Sequence, residues 1–459
     1  VPGDMFVAND PYNGGTHLPD LILVSPAFSG AVLIGHTVAI AHMIDVGGIA
    51  AGSFMTNAKE LIQEGIVIPP VRLYERGEMN QAVESILRRN IRQPVETLGD
   101  LHSLVAATRI GAQRLQALAE ELGTPRLAAA MQDLIDYAEE RGRRELSARG
   151  DSEGEFTDFL DDDGVTGAPV RFQVKLSLRE GAVTADFSGS NPQVAAGINS
   201  TLSTTRSVLQ WCLRTQMAED YPDNAGFYRL LDIRAAPGTI VNASNDAPVA
   251  SRGLTAFRLV DCIFGAMAAM FPGRIWAAGD GSMDPLTIGG RRDDGSRFTM
   301  VEPVCGTTGA RPNADGIEGV APPVGNARNS SVEVLERAFP VRILHFGIAP
   351  GTGGMGTYRG GNAITRSYEL LCDRAEVVIR SDRKKHLPWG LAGGSPGSPS
   401  LSVLVTQDGK EIELPSRHVF EMLRGQRLVW RGAGGGGYGP PASRNPQLLE
   451  RDRREGRTA

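Results

Sequence analysis

The stretch Gly3-Asp4-Met5-Phe6-Val7-Ala8-Asn9-Asp10-Pro11-Tyr12-Asn13-Gly14-Gly15-Thr16-His17-Leu18-Pro19-Asp20, answered downstream by Ala41-His42-Met43-Ile44-Asp45-Val46-Gly47-Gly48, decides the reading of this chain. His17 and Asp20 stand three positions apart in a segment rich in Gly, Pro and Asn, whose backbone can turn both side chains inward. An imidazole and a carboxylate so placed could clamp one divalent ion. Residues 21–24 and 31–40 are apolar runs that predict two buried strands, joined by the Ser25-Pro26-Ala27-Phe28-Ser29-Gly30 turn. A hairpin of that kind returns His42 to the side of His17. The spacing fits equally well two interior histidines hydrogen-bonded to backbone, and by itself it leaves both readings open.

Around this pair stand further polar candidates. Asp10, in Asn9-Asp10-Pro11, suits an Asx turn as well as a catalytic role. Asp45, three residues past His42, could orient a ligand imidazole from behind. Glu60 and Glu64 are spaced four apart and predict an exposed helix face. His36 has the parity of Val32 and Ile34, which places it in the strand core. His102, His345, His386 and His418 show no metal-ligand spacing.

Outward from the motif, the period of the apolar pattern divides the chain into five segments. Residues 1–78 read as strands and loops carrying the His/Asp constellation. Residues 79–150 are helical: Leu115, Leu118 and Leu122 share a face, Gly123 suits a helix end, and Thr124-Pro125 starts the next helix with Leu127, Met131, Leu134, Ile135 and Ala138 as its stripe. Residues 151–272 mix strands and helices. Within them Val170, Phe172, Val174, Leu176 and Leu178 alternate with polar residues as a half-buried strand, Val183, Ala185 and Phe187 form its partner, and helices fall near residues 204–218 and 254–270. Residues 273–441 are Gly/Pro-punctuated and strand-rich, with a hairpin signal at Asp408-Gly409. Residues 442–459 form a charged tail. The fold class is α+β, a mixed multi-layer arrangement.

The 459 residues, 41% hydrophobic and 22% charged, describe a globular chain rather than a disordered or fibrous one. A formal charge of −6 without a Lys/Arg block argues against nucleic acid or an anionic membrane as the main partner. The apolar stretch 21–44 is too interrupted for a membrane span. Cys212, Cys262, Cys305 and Cys372 lie far apart, which predicts buried thiols and a cytoplasmic setting.

Two glycine runs need separate treatment. Gly351-x-Gly353-x-x-Gly356 has the form of a dinucleotide fingerprint, but Tyr358-Arg359-Gly360-Gly361-Asn362 follows where a helix would have to start, so the Rossmann reading fails. Tight turns at positive φ are the plainer expectation for these glycines. A second reading has the amides of Gly353 and Gly354, with Arg359, receiving an anionic group of the substrate. The run 434–439 lacks the Lys-Ser/Thr of a P-loop.

Three motifs, GDMFVANDPYNGGTHLPD, AHMIDVGG and Gln63-Glu64-Gly65-Ile66-Val67-Ile68-Pro69-Pro70-Val71, resemble the hydantoinase B/oxoprolinase family. The likeness continues through Gly99-Asp100-Leu101, Asp186-Phe187-Ser188-Gly189-Ser190, Gly353 to Gly361, Pro388-Trp389-Gly390-Leu391-Ala392-Gly393-Gly394 and the final glycine run. It implies that His17, Asp20 and His42 are ligands of a divalent ion, zinc, manganese or iron(II). It implies further that ATP is bound by a hydantoinase A-type ATPase subunit in a hetero-oligomer, and that a cyclic amide such as a hydantoin or 5-oxoproline is hydrolysed after phosphoryl activation. Asp10 and Asp45 are the catalytic candidates that go with this reading. Alternatives are a subunit of an acetone/acetophenone-type carboxylase and a non-catalytic structural partner. By the family pattern the chain is also expected to be shortened at both ends, with an upstream acidic ligand missing.

Overall fold

The computed structural model describes residues 1–54, 57–244, 246–283 and 286–458, and the fold is α+β. The first sheet holds β1 (Met5–Ala8), β2 (Asp20–Ser29), β3 (Val32–His42), β4 (Val71–Glu75) and β5 (Glu78–Met79) in the order β3-β2-β1-β4-β5. All its pairings are antiparallel. The β2–β3 turn is tighter than the sequence suggests: Ser25 and Pro26 lie inside β2 opposite Thr37 and His36, and the chain reverses at Gly30. Three helices follow, α1 (Gln81–Asn90), α2 (Pro94–Leu122) and α3 (Thr124–Ser147).

α2 packs across β2 and β3, and this contact inverts the expected face of β3. The small residues Gly35, Thr37, Ala39 and Ala41 lie toward the helix, where Leu115 and Gly111 come close to Gly35 and Thr37. The larger Val32, Leu33, Val38 and Ile40 are therefore exposed, and His36 with them, so it is not a core histidine. In the α2–α3 hairpin Gly123 takes φ +81° at the turn. Leu127 and Ala138 are buried, but Leu118, Met131 and Leu134 face outward.

The next sheet, β6 (Ser152–Leu160), β7 (Val170–Arg179), β8 (Ala182–Asp186) and β9 (Leu231–Arg234), runs in that order, with β8–β9 its one parallel pairing among the described residues. Every alternate residue of β7 from Val170 to Leu178 is buried, as the period-two pattern requires. Between these strands lie α4 (Leu202–Arg214) and α5 (Ala225–Tyr228), and after them comes α6 (Arg252–Met270), which packs on β6 and β7. α6 is the one helix among the described residues long and apolar enough to cross a membrane, and most of it is buried inside the fold.

The remaining strands form two sheets. β10 (Leu286–Arg291), β11 (Arg297–Glu302), β14 (Arg374–Arg380) and β17 (Arg417–Leu423) pair in the order β11-β10-β14-β17. β12 (Val341–Ile348), β13 (Ile364–Leu370), β15 (Leu401–Val405), β16 (Glu411–Glu413) and β18 (Arg427–Arg431) pair in the order β12-β13-β18-β15-β16. The hairpin expected at Asp408-Gly409 joins β15 to β16, α7 (Val332–Ala338) precedes β12, and α8 (Pro446–Arg454) lies in the charged tail.

The glycine runs meet in a layer of extended backbone. Gly434, Gly435, Gly436 and Gly437 donate in turn to the carbonyls of Ser398, Gly361, Ala278 and Ser395, so successive residues bond to different neighbouring segments. Positive φ is not what these positions need: Gly353, Gly354, Gly360 and Gly435 all lie outside that region, whereas Gly351 and Gly439 lie within it. What they need is the absence of a side chain. A Cβ at Gly353, Gly354 or Gly435 would fall inside the contact distance of facing backbone atoms.

Candidate metal centre

The β2–β3 ladder sets Asp20 directly opposite His42, and Met43 N closes the end of the hairpin on Pro19 O at 2.7 Å. His17, one turn earlier, folds in beside them. His17 Nε2, His42 Nδ1 and Asp20 Oδ1 form a triangle with edges of 3.0–3.1 Å. The sequence-predicted ligands are thus brought together, and they are the one such group of three His, Cys, Asp or Glu donors among the described residues.

The protonation pattern follows from the partners. His17 Nδ1 lies 3.0 Å from the carbonyl of Ala250, an acceptor only, so this nitrogen carries the proton and Nε2 presents its lone pair to the triangle. Burial drives the His17 imidazole down to about 4, with Arg252 acting in the same direction, so the ring is neutral at physiological pH. Burial pulls the Asp20 carboxyl upward, but His17, His42 and Arg252 together hold it well below its ordinary range. Two acceptors, His17 Nε2 and Asp20 Oδ1, therefore face each other at 3.1 Å. A cation between them removes that repulsion. Donors held at about 2.1 Å from one ion sit roughly 3.0–3.4 Å apart, so two imidazoles and a carboxylate in this triangle fit zinc, manganese or iron(II).

Three contacts from distant parts of the chain support the triangle. Arg252, the first residue of α6, donates from Nη2 to Asp20 Oδ2 at 2.8 Å, and Thr16 Oγ1 donates to the same oxygen. Asn9 ties Leu18 O (2.7 Å) to Ile66 O (2.9 Å) and Ile68 N (2.6 Å), fixing the His17 loop against residues 66–68. Glu64 corrects the exposed-helix expectation. It is fully buried, accepts from Val249 N at 3.0 Å and Ala250 N at 2.8 Å, and so anchors Ala250, the residue whose carbonyl meets His17. Burial raises its carboxyl to about 8 against the pull of those two amides. Sequence reasoning had no contact information to find Arg252 or Glu64, although Glu64 stands in one of the motifs quoted for the family likeness.

Other candidates lie elsewhere in the structure. Asp10 accepts from Tyr12 N (2.9 Å) and Asn13 Nδ2 (2.6 Å) and caps the short helix Pro11–Asn13, an Asx turn. Asp45 does not reach His42: its oxygens take Gly47 N, Gly52 N, Arg92 N and Arg92 Nη1, which makes it the anchor of the following loop. Arg359 is buried against Glu318 (3.0 Å) and Asp452 (3.6 Å), and Gly353 and Gly354 are packed in the glycine layer. Gly353 N donates to Asn362 Oδ1 at 3.0 Å and Gly354 N to Gly435 O at 2.8 Å, so both amides and the Arg359 guanidinium have partners within the fold.

The triangle forms part of the wall of a cavity of about 480 Å³. Phe54 stands beside both imidazoles, with ring centroids 5.5 Å from His17 and 5.2 Å from His42, and the Arg380 guanidinium lies over its ring at 4.1 Å from the centroid. The first turns of α6 supply Arg252, Gly253, Leu254 and Phe257 to the same cavity.

Comparison with known proteins gives four likenesses. The hydantoinase B/oxoprolinase family profile matches residues 1–441. The B subunit of a putative D-/L-hydantoinase from a Pseudomonas species is 30% identical over 99% of this chain and 78% of its own length. The crystal structure of an ATP-dependent caprolactamase from Pseudomonas jessenii superposes with a TM-score of 0.92 at 26% identity, over all of this chain and 81% of that one. An acetone carboxylase structure shares the fold at a TM-score of 0.85 and 19% identity, over all of this chain and 67% of that one.

Proposed function

This chain belongs to the hydantoinase B/oxoprolinase family, and on that premise we propose that it is the metal-dependent B-type subunit of an ATP-dependent cyclic amide hydrolase. The observation that carries the reading is the convergence of His17 Nε2, His42 Nδ1 and Asp20 Oδ1 at the wall of a cavity large enough for a small ring. The caprolactamase likeness supports it.

An unstrained amide resists water, so phosphoryl transfer to its oxygen both makes the carbon electrophilic and creates a leaving group. A divalent ion held by the three ligands would supply Lewis acidity toward water and toward the oxygen on which negative charge develops. The chain's own residues prepare for this in stated ways. Ala250 O holds the proton of His17 on Nδ1, keeping Nε2 free to ligate. Arg252 keeps Asp20 ionised and sets a guanidinium at the cavity edge, where it favours an anionic phosphoryl group. The chain carries no P-loop motif, which favours ATP binding on an A-type partner.

The test is reconstitution. The isolated chain should neither consume ATP nor open a lactam, and the pair with its A-type partner should do both, with ring opening lost on metal removal. ATP-dependent ring opening by the isolated chain would refute the division of labour. An undiminished rate in the metal-free pair would refute the metal's role. Acetone with bicarbonate in the same assay reports on the carboxylase alternative.

A further inference from the structure

We propose that the segment carrying Val324 and Gly325 is the specificity wall of this cavity, and that it selects cyclic amides without a charged substituent while setting the largest ring admitted. The proposal rests on the function proposed above. Its starting observation is backbone strain at Val324, which lines the cavity, and at Ser53, next to the lining residue Phe54. Val324 has φ +58°, a conformation that β-branched residues avoid, and the residue is 36% exposed, so core packing does not account for it. Ser53 has φ +56°, held by its Oγ between Val46 N and Gly47 O at 2.9 Å, and it presents Phe54 beside the two imidazoles. Strain maintained in this way at a cavity wall points to a functional shape.

Gly325 stands next to Val324 with ordinary φ. A Cβ there would lie 3.0 Å from Pro322 O, 3.1 Å from Met283 Sδ and 3.5 Å from Phe257 Cε1, so a methyl finds no free room and must displace the Met283 or Phe257 side chain, both of which line the cavity. A ring with its amide at the ligand triangle would occupy the cavity that Phe54 and this segment both line. Charge is distributed unequally along the cavity. Of the two guanidiniums that reach it, Arg252 is bonded to Asp20, and Arg380 is set against Phe54 and Thr287. Asp100 adds a carboxylate to the lining. A phosphoryl group would be served at the triangle by Arg252 and the ion, whereas Phe257, Met283 and Val324, which line the same cavity, offer a substituent carboxylate no hydrogen-bond donor.

The experiment compares 2-pyrrolidinone, 5-oxoproline and ε-caprolactam as substrates of the metal-loaded complex with its A-type partner and ATP. The first two differ only in a carboxylate, the first and third only in ring size. We expect kcat/KM for 2-pyrrolidinone to exceed that for 5-oxoproline by about tenfold or more. In Gly325→Ala the ratio of ε-caprolactam to 2-pyrrolidinone kcat/KM should fall by about tenfold, and in Phe257→Leu it should rise. Metal content and Tm check that each variant is folded. A preference for 5-oxoproline overturns the charge selection, and variants that leave the ring-size ratio unmoved overturn the wall. Failure of the wild-type complex to open any of the three with ATP would overturn the proposed function itself, and this inference with it.

Discussion

Replacing Glu64 by Gln gives a stability change whose dependence on pH can be worked out in advance. In the folded chain burial raises the Glu64 carboxyl to about 8 from an ordinary 4.5. An acid whose folded value is raised contributes its stability in full below its unfolded value, and loses it as pH climbs through the folded one. The window is therefore pH 4.5 to about 8, and across it the wild type gives up on the order of 5 kcal/mol at this residue. Glutamine does not titrate, so the variant lacks that slope. It also places an NH2 against one of the two amides, Val249 N or Ala250 N, that the carboxylate satisfies, costing about 1–3 kcal/mol. The variant should thus be less stable than wild type near pH 5 and should overtake it near pH 9. Urea denaturation of both metal-free proteins at pH 5, 7 and 9 measures the difference, and metal titration at pH 7 should show affinity weakened by about tenfold as Ala250 O shifts under His17. A stability difference that stays constant from pH 5 to pH 9 would refute the reasoning, because it would mean that the buried carboxyl titrates alike in both states.

Asp20→Asn should lose the bound ion and ring opening while its complex still consumes ATP, and should cost about 1–3 kcal/mol because Arg252 loses its buried counter-ion; undiminished metal by elemental analysis would contradict the site. His42→Ala, at a side chain 40% exposed, should lower metal content sharply yet change metal-free stability by less than about 1 kcal/mol in urea denaturation. Gly435→Ala should abolish soluble folded protein, since its Cβ falls on the backbone of Thr308 and Gly309, whereas Gly99→Ala, in open space on α2, should raise stability by about 0.5–1 kcal/mol.

How legible each part was depends on the range of the interactions that fix it. β7 could be read because one of its faces is wholly buried, so hydrophobicity and position carry the same period of two. β3 misled because both of its faces are apolar in sequence. What separates them is size, with Gly35, Thr37, Ala39 and Ala41 chosen for the approach of α2 and Val38 and Ile40 left outside. Glycines are ambiguous for a related reason, since positive φ and close backbone approach call for the same residue, and at Gly353 and Gly435 it is the approach that operates.

The ligand triangle divides along the same line. His17, Asp20 and His42 meet through a hairpin, so their proximity is a local property that spacing can report. The groups that make them ligands are remote: Ala250 O fixes the tautomer of His17 from 233 residues away, Arg252 holds Asp20 from 232, and Glu64 fastens the amides of Val249 and Ala250 just before them. A hairpin excised from this chain would keep the three side chains near one another but lose the proton on His17 Nδ1 and the counter-ion of Asp20. Ion affinity is therefore linked to the docking of the α6 N-terminus onto the first sheet, and any change that loosens that contact should weaken the metal before it unfolds the protein.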